Sequence, residues 1–286
     1  MKFTTYIKRK ITNLIRSLGY ELKGAKKIIK HNDFDSIIRY LLNVKDKEKH
    51  VYFDIGANTG QSIHRFKKIN DKSKIYSFEP TPHLFEGLTN DFEADKQVVL
   101  NNLGIGEKKG KLDFYSYKHH KINSLIPIDR ESKFSKSRII ASDSNDQEFE
   151  KVIKVDVTDL DSYCQERNIN QIDFIKIDTQ GYETKILEGM QRLLKEQRIS
   201  MIELELILGF GYEETISFYD YEKFLNKDYK LIALDTASNI LSYSNYQTNL
   251  LYVKKEIFDS IREMHETNIT IPGITEKTDK SHPFSY

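Results

Sequence analysis

From residue 49 onward, short runs rich in β-branched and aromatic residues alternate with stretches of helical period, a rhythm that few architectures accommodate. A strand, a helix and a second strand of the same sheet form a parallel crossover, so the pattern predicts an α/β fold with helices on both faces of a mostly parallel sheet. Strands are expected near 51–55, 74–79, 97–102, 172–177, 199–207, 229–234 and 249–254, and helices near 60–69, 82–92, 158–167, 182–195 and 217–226. A segment rich in Ser and Asn, without helical period, joins the last two strands and predicts an antiparallel hairpin. Across 107–157 the rhythm breaks: Glu107 to Gly110 reads as a turn into the alternating strand Leu112 to Tyr115, and a polar stretch follows at 141–147. Insertions in such folds gather above the carboxyl edge of the sheet, where ligands bind, so 107–157 is read as a mobile lid.

The chain of 286 residues is 38% hydrophobic and 30% charged, a composition outside the disordered, collagenous and disulfide-rich classes. The single cysteine, Cys164, excludes an intramolecular disulfide and is read as a half-buried helix residue. No run approaches the roughly 18 apolar residues of a membrane span, and the basic amino terminus lacks the apolar segment of a secretion signal, which predicts a cytoplasmic protein. Residues 1–30 carry nine Lys or Arg against Glu21 alone, a net +8, which leaves −7 for the other 256 residues. Phe3, Ile7, Ile11, Leu14, Ile15, Leu18 and Leu22 form one helical stripe, so 1–48 is read as a basic amphipathic helical extension. Such a helix packs on its own acidic domain or a second subunit of a homo-oligomer, or lies peripherally on an anionic membrane. The main domain is expected over 49–256, and 257–286 as a helix end and extended tail.

Val51-Tyr52-Phe53-Asp54-Ile55-Gly56-Ala57-Asn58-Thr59-Gly60 reads as a strand, a glycine-containing turn and a helix start. Glycines at 56 and 60 allow a sharp turn and close ligand approach. The pattern is not the G-x-G-x-x-G that seats a pyrophosphate. Asp54 would repel a diphosphate and points instead to a cationic or amino-bearing ligand. The next strand ends on Glu79-Pro80, where a carboxylate can accept hydrogen bonds from both hydroxyls of a ribose.

These runs, with Thr81 to Phe85 and Leu88, Asn101 to Gly106, Leu160-Asp161, and Phe174 to Asp178 leading to Gly181 and Glu183, resemble the FkbM-type methyltransferase family over about residues 50–254. The resemblance implies a class I, S-adenosylmethionine-dependent methyltransferase fold of the Rossmann-like type, with a seven-stranded sheet whose last strand is antiparallel. It also implies O-methylation of a sugar or other small hydroxylated metabolite. By that likeness Gly56, Ala57, Asn58 and Gly60 lie under the methionine part of the cofactor, Asp54 steadies the loop or the cofactor's amino group, Glu79 holds the ribose, and Asn102 meets the adenine edge. Members commonly read D-x-E-G where this chain has Asp178-Thr179-Gln180-Gly181, so position 180 lacks a carboxylate.

Methyl transfer to an alcohol needs a positioned nucleophile and a proton acceptor. By the period of two, Lys176 and Asp178 point to one face of their strand, and Glu203 and Glu205 likewise share a face of theirs. Lys176 is expected to pair with Glu203 or Glu205. Asp178 or Glu205 is the expected base, with Glu183 as the alternative. A divalent metal on these carboxylates would do the same work, though no metal-ligand spacing supports one. Ser124 is read as a polar loop residue without a role, the alternative being a contact to cofactor or substrate from the insertion; His119 and His120 are read as exposed loop histidines, and Tyr212 as a candidate for the acceptor pocket. The competing classes are a nicotinamide-dependent oxidoreductase and a non-catalytic nucleoside-binding scaffold docked through the basic helix. Nucleic acid is not expected as substrate, because positive charge is confined to one terminus.

Overall fold

Strands covered on both faces have no solvent side and read as near-continuous apolar runs, and this governs the middle of the molecule. The computed structural model describes residues 34–44, 49–132, 136, 150–207, 212–214, 216–234 and 247–268. In chain order the described elements are α1 (Phe34–Val44), β1 (Val51–Ile55), α2 (Gln61–Ile69), β2 (Lys74–Phe78), α3 (Pro82–Phe92), β3 (Val98–Asn101), β4 (Gly104–Ile105) and β5 (Gly110–Tyr117). A short 3-10 turn (His120–Ile122) follows, then β6 (Glu150–Thr158), α4 (Leu160–Glu166), β7 (Phe174–Ile177), α5 (Glu183–Glu188), α6 (Gln191–Lys195), β8 (Met201–Ile207), α7 (Phe218–Leu225), β9 (Tyr229–Leu234), β10 (Gln247–Lys254) and α8 (Lys255–Asn268).

Seven strands form one sheet in the order β3-β2-β1-β7-β8-β10-β9. All neighbours are parallel except β10, the last strand of the chain, which runs antiparallel between β8 and β9. The expected α/β architecture and the antiparallel pairing of the last two strands are both present. Alternate residues of the central strands enter different cores. Phe53, Phe78, Ile175 and Ile202 pack with Tyr163 of α4 and Leu187 of α5 on one face. Tyr52, Ile75, Phe174 and Met201 pack with α1, α2 and α3 on the other. Phe78 and Tyr163 meet edge to face at 4.8 Å between ring centres, one of several such contacts that each contribute about 0.5–1.5 kcal/mol beyond simple burial.

Several boundaries differ from the sequence reading, each for a physical reason. The periodic stripe of residues 1–30 lies outside the described residues. Residues 34–44, read as part of the extension, bury Phe34, Ile38, Leu41 and Leu42 in the second core and so belong to the body. The helix expected over 182–195 divides at Gly189, where an added Cβ would stand 2.0 Å from the carbonyl oxygen of Gly106; that close approach turns the chain. The expected lid is in large part an ordered sheet, because β5 pairs with β6 from Gly110↔Val157 to Tyr117↔Glu150 and β4 adds to the other side of β6. Ile153, Val155 and Val157 already alternate with Lys154 and Asp156 in the sequence, which is the signature of β6. Residues 133–135 and 137–149 of the insertion lie outside the described residues.

Cys164 is completely buried within α4, and burial pushes its thiol up to about 12. A thiolate is the reactive form, so the native protein is expected to resist a disulfide reagent and to release one equivalent only on unfolding. Stopped-flow thiol titration along a urea series checks this, and rapid modification in the absence of urea would mean that α4 opens locally.

Candidate active site

The carboxyl ends of β1, β7 and β8 bring charges together in an otherwise apolar sheet. Their register places Asp54 opposite Lys176 and Lys176 opposite Glu203, with Ser77 of β2 opposite Asp54. These residues share a sheet face with Tyr52, Phe174 and Met201, so that one face passes from apolar to charged along the strand direction. Lys176 pairs with Asp178 at 2.6 Å. This corrects the expectation that it neutralises Glu203 or Glu205. Glu203 is held by both terminal nitrogens of Arg65 at 2.8 Å each, a two-pronged contact from α2, while Arg65 Nε donates to Asp35 of α1. Burial works to lower the Lys176 ammonium, but Asp178, Glu203 and Asp54 outweigh it and hold the charge.

The turn after β1 carries the expected glycine chemistry. Gly56 has φ +89°, and a Cβ there would sit 2.0 Å from the carbonyl oxygen of Asp178. Gly60, at φ +83°, is needed for packing, since a Cβ would meet Phe92 at 2.6 Å. Gly56, Ala57 and Asn58 line a cavity of about 950 Å³, whereas Gly60 stands behind it. Asp54 is fully buried beneath the turn. Its Oδ2 accepts from the Ser77 hydroxyl at 2.9 Å, and its Oδ1 has no hydrogen-bond partner among the described residues. Burial raises its carboxyl to about 6, against the opposing pull of Lys176.

Glu79 lies in the cavity wall, only 4% exposed. One oxygen accepts the backbone N–H of Asn58 and the other that of Thr81, each at 2.9 Å, so the carboxylate ties the two turns together. Asn102 stands outside the cavity wall. It is exposed and its amide donates to the Glu79 carbonyl at 2.8 Å, while Leu103, Gly104 and Ile105 supply the wall there.

On the opposite wall, Asp178 and Glu205 are joined by one side chain. The Gln180 amide nitrogen donates to Asp178 Oδ1 at 3.1 Å and to Glu205 Oε2. Burial would raise Asp178, but Lys176 reverses that and holds it below the usual carboxylate range. Glu205 is pushed well up by burial and then by the charges of Asp178 and Glu183. Glu183, the alternative base, is committed elsewhere. It accepts the N–H groups of Thr179 and Gly181 and the Thr179 hydroxyl at 2.9–3.1 Å, clamping the turn from behind. It lies outside the cavity wall.

Sequence reasoning missed four participants. His119 and His120, read as exposed, are half-buried and line the cavity. His120 Nδ1 meets Asn58 Oδ1 at 2.7 Å, while Asn58 Nδ2 donates to the His120 carbonyl at 3.1 Å. Burial, then Lys121 and His83, lower the imidazole below its ordinary value. Ser124 is buried and donates to the carbonyls of Thr179 and Gln180 while accepting from the Ile126 N–H, so it is a clamp rather than an idle loop residue. Arg65 is visible in the sequence only as a cation on a helix, with nothing to mark Glu203 as its partner. Tyr212 does line the cavity, with its hydroxyl 3.1 Å from Gln180 Oε1.

The profile of the methyltransferase FkbM domain matches residues 54–231. The chain belongs to this family. It is a methyltransferase with the expected Rossmann-like sheet of seven strands. This FkbM-family chain is 25% identical over 199 residues to the 2-O-methyltransferase NoeI of Sinorhizobium fredii, covering 69% of this chain and 80% of that protein. It is 22% identical to the hexuronic acid methyltransferase AglP of Haloferax volcanii over 59% of this chain and 61% of that protein. The crystal structure of an rRNA methylase from Streptococcus thermophilus superposes with a TM-score of 0.44 at 11% identity, covering 80% of this chain and 99% of that one.

Two variants test the site's construction, and a third, away from the site, serves as a comparison. Because its folded-state value stands above the unfolded one, ionised Asp54 opposes folding above pH about 6, and this cost vanishes as pH falls towards 4. Asp54→Asn is expected to unfold at a higher temperature than the parent at pH 7.5, the gap closing between pH 6 and 4 in a calorimetric series. Gly56→Ala is expected to destabilise the fold by more than about 2 kcal/mol, through backbone overlap at positive φ. Gly87→Ala in α3, where a Cβ meets nothing within 4 Å, should stabilise it by about 0.5–1 kcal/mol. Urea denaturation of both variants gives the comparison.

Proposed function

We propose that this methyltransferase uses S-adenosylmethionine to methylate a hydroxyl of a carbohydrate-like acceptor. The observation that carries the reading is that Glu79, the Gly56–Asn58 turn and the Asp178–Glu205 pair open into one cavity of about 950 Å³. The chemistry of the wall fits that cofactor. Behind the wall rather than in it, Asp54 places a carboxyl with one oxygen unpartnered among the described residues beneath the turn, which favours positive charge on the ligand above. Glu79 retains lone pairs beyond those taken by Asn58 and Thr81, which suits a pair of ribose hydroxyls. When bound, S-adenosylmethionine supplies a methyl group on a positively charged sulfur and leaves as a neutral thioether.

The chain's own residues then have two tasks. The glycine turn and Glu79 orient one reactant, and the carboxylate pair orients the other, which converts a bimolecular encounter into an aligned displacement. Asp178, ionised on Lys176 and in the wall, takes the proton of the acceptor hydroxyl as the new carbon–oxygen bond forms. Transfer to a hydroxyl is supported by the relative named a 2-O-methyltransferase, and a carbohydrate acceptor by the one named a hexuronic acid methyltransferase. A divalent metal is not needed for this proton transfer.

Calorimetry with S-adenosylmethionine and its demethylated product, followed by mass spectrometry on a panel of mono- and oligosaccharides including uronic acids, tests the function. Tight cofactor binding and a gain of one methyl on a sugar hydroxyl are expected. Binding of a nicotinamide dinucleotide instead, or transfer only to non-carbohydrate acceptors, would overturn it. Asp178→Asn is expected to lose about 10²–10⁴-fold in turnover with cofactor affinity unchanged, and undiminished turnover would remove Asp178 from the chemistry.

A further inference from the structure

The side chain between the two carboxylates has a geometry of its own. Gln180 adopts φ +57°, a backbone conformation that costs a non-glycine residue on the order of 1–3 kcal/mol. The surroundings enforce it: Ser124 Oγ grips the Gln180 carbonyl at 2.9 Å, and Glu183 grips the N–H of Gly181 just after it. From this position the amide nitrogen reaches Asp178 Oδ1 and Glu205 Oε2 together. An NH₂ group has two hydrogens, so each carboxyl receives one. The carbonyl end meets the Tyr212 hydroxyl at 3.1 Å, and the reverse orientation of the amide would turn an acceptor oxygen towards two carboxyl groups.

Cations are scarce at this point. Lys176 contacts Asp178, Arg65 is taken by Glu203 and Asp35, and among the described residues no cation touches Glu205. The other titratable groups around the pair and its cation are Asp54 from β1, Glu203 from β8, Glu183 from α5, Tyr221 from α7, and Tyr212, none of which brings positive charge. Two carboxyls, Glu205 buried and Asp178 half-buried, that share one cation and one amide cannot both ionise cheaply.

We propose that Gln180 is a positioning residue that holds the Asp178–Glu205 pair at a single negative charge, with Asp178 ionised on Lys176 and Glu205 carrying the proton. The consequence for the reaction rests on the reading of the cavity given above: Asp178 is the one free base, and the Glu205 hydroxyl stands beside it as a donor able to orient an acceptor oxygen. An acid at position 180 would place a third carboxyl on the same cation. The neutral amide therefore determines at what pH the base is available.

Infrared difference spectroscopy on the full chain without any ligand reads the proton directly. Subtracting the Glu205→Gln spectrum from that of the parent at pH 7 is expected to reveal the carbonyl stretch of a protonated carboxyl, and Gln180→Glu is expected to add a second. In kinetics, Gln180→Glu should move the acid limb of kcat/KM to higher pH by about one unit or more, because an added like charge disfavours ionisation of Asp178. Gln180→Leu removes both donors and, by circular dichroism and melting, controls for loss of fold. It should lower kcat by about tenfold while leaving cofactor affinity within about threefold. The absence of a protonated carboxyl in the infrared difference, or a Gln180→Glu profile superimposable on the parent's, would overturn the proposal. The spectroscopic arm involves neither cofactor nor acceptor, so failure of the methyltransferase reading would appear in calorimetry and leave the infrared result intact.

Discussion

Lys176 is a buried cation at the centre of the sheet, and the placement of the surrounding acids follows from it. An unpaired ammonium at that depth would cost several kcal/mol, and the pair it forms with Asp178 is stable only because neighbouring charges are answered elsewhere. Glu203 stands directly opposite Lys176 on β8 and would compete for it. Arg65 prevents this by taking Glu203 with two hydrogen bonds from the adjoining helix, and Asp35 orients Arg65 in turn. The helix α1, whose apolar side is buried in the second core, thereby contributes to the electrostatics of a site it does not touch. Lys176 and Asp178 are two residues apart and meet locally, whereas Glu203 is satisfied only when both the strand register and the packing of the helix that carries Arg65 are correct.

The turn from Asp178 to Gly181 concentrates backbone strain beside the proposed catalytic pair. Its Gln180 lies at positive φ, its carbonyls are held from the insertion by Ser124, and its N–H groups are held from α5 by Glu183. A backbone so fully bonded has little freedom to relax, which keeps Asp178 aimed at the cavity rather than adjusting to its own ion pair. Glu183 shows how role and appearance separate. A carboxylate at a helix start beside a catalytic turn has the composition of a base, yet its lone pairs are spent on main-chain donors, and burial in that cage serves rigidity.

What could be read in the sequence and what could not divides along contact range. Turn chemistry is encoded by neighbouring residues, so the Gly56 turn, the acid at the end of β2 and the βα order of the sheet were legible from local pattern. The partner of a charged side chain is a tertiary fact. Arg65 and Glu203 are 138 positions apart and Asn58 and His120 62 apart, and nothing local to either member names the other. The same limit explains the assignment of Lys176: period-two reasoning correctly grouped the charged residues by face, but choosing among three acids on that face required knowing which of them a helix had already claimed. His120 was set aside for lack of metal-ligand spacing, a test that says nothing about a hydrogen bond to an amide.

The insertion is more than a cover. Between His120 and Ser124 a stretch of five residues touches the turn after β1 at one end and the turn after β7 at the other. The first turn belongs to the half of the cavity that suits an adenosine-bearing cofactor, and the second carries the carboxylate pair. Any shift of this segment therefore alters both halves together, because neither set of hydrogen bonds can be kept while the other is broken without bending a segment pinned by the buried Ile122. A methyl transfer demands that donor and acceptor be aligned at the same moment and that water be kept from the charged sulfur. A single short strap bonded to both turns suits that demand mechanically, and the described part of the insertion that carries it is a sheet. β5 and β6 hold the strap at a fixed height above the carboxyl edge, which a loop of the same length would leave undefined.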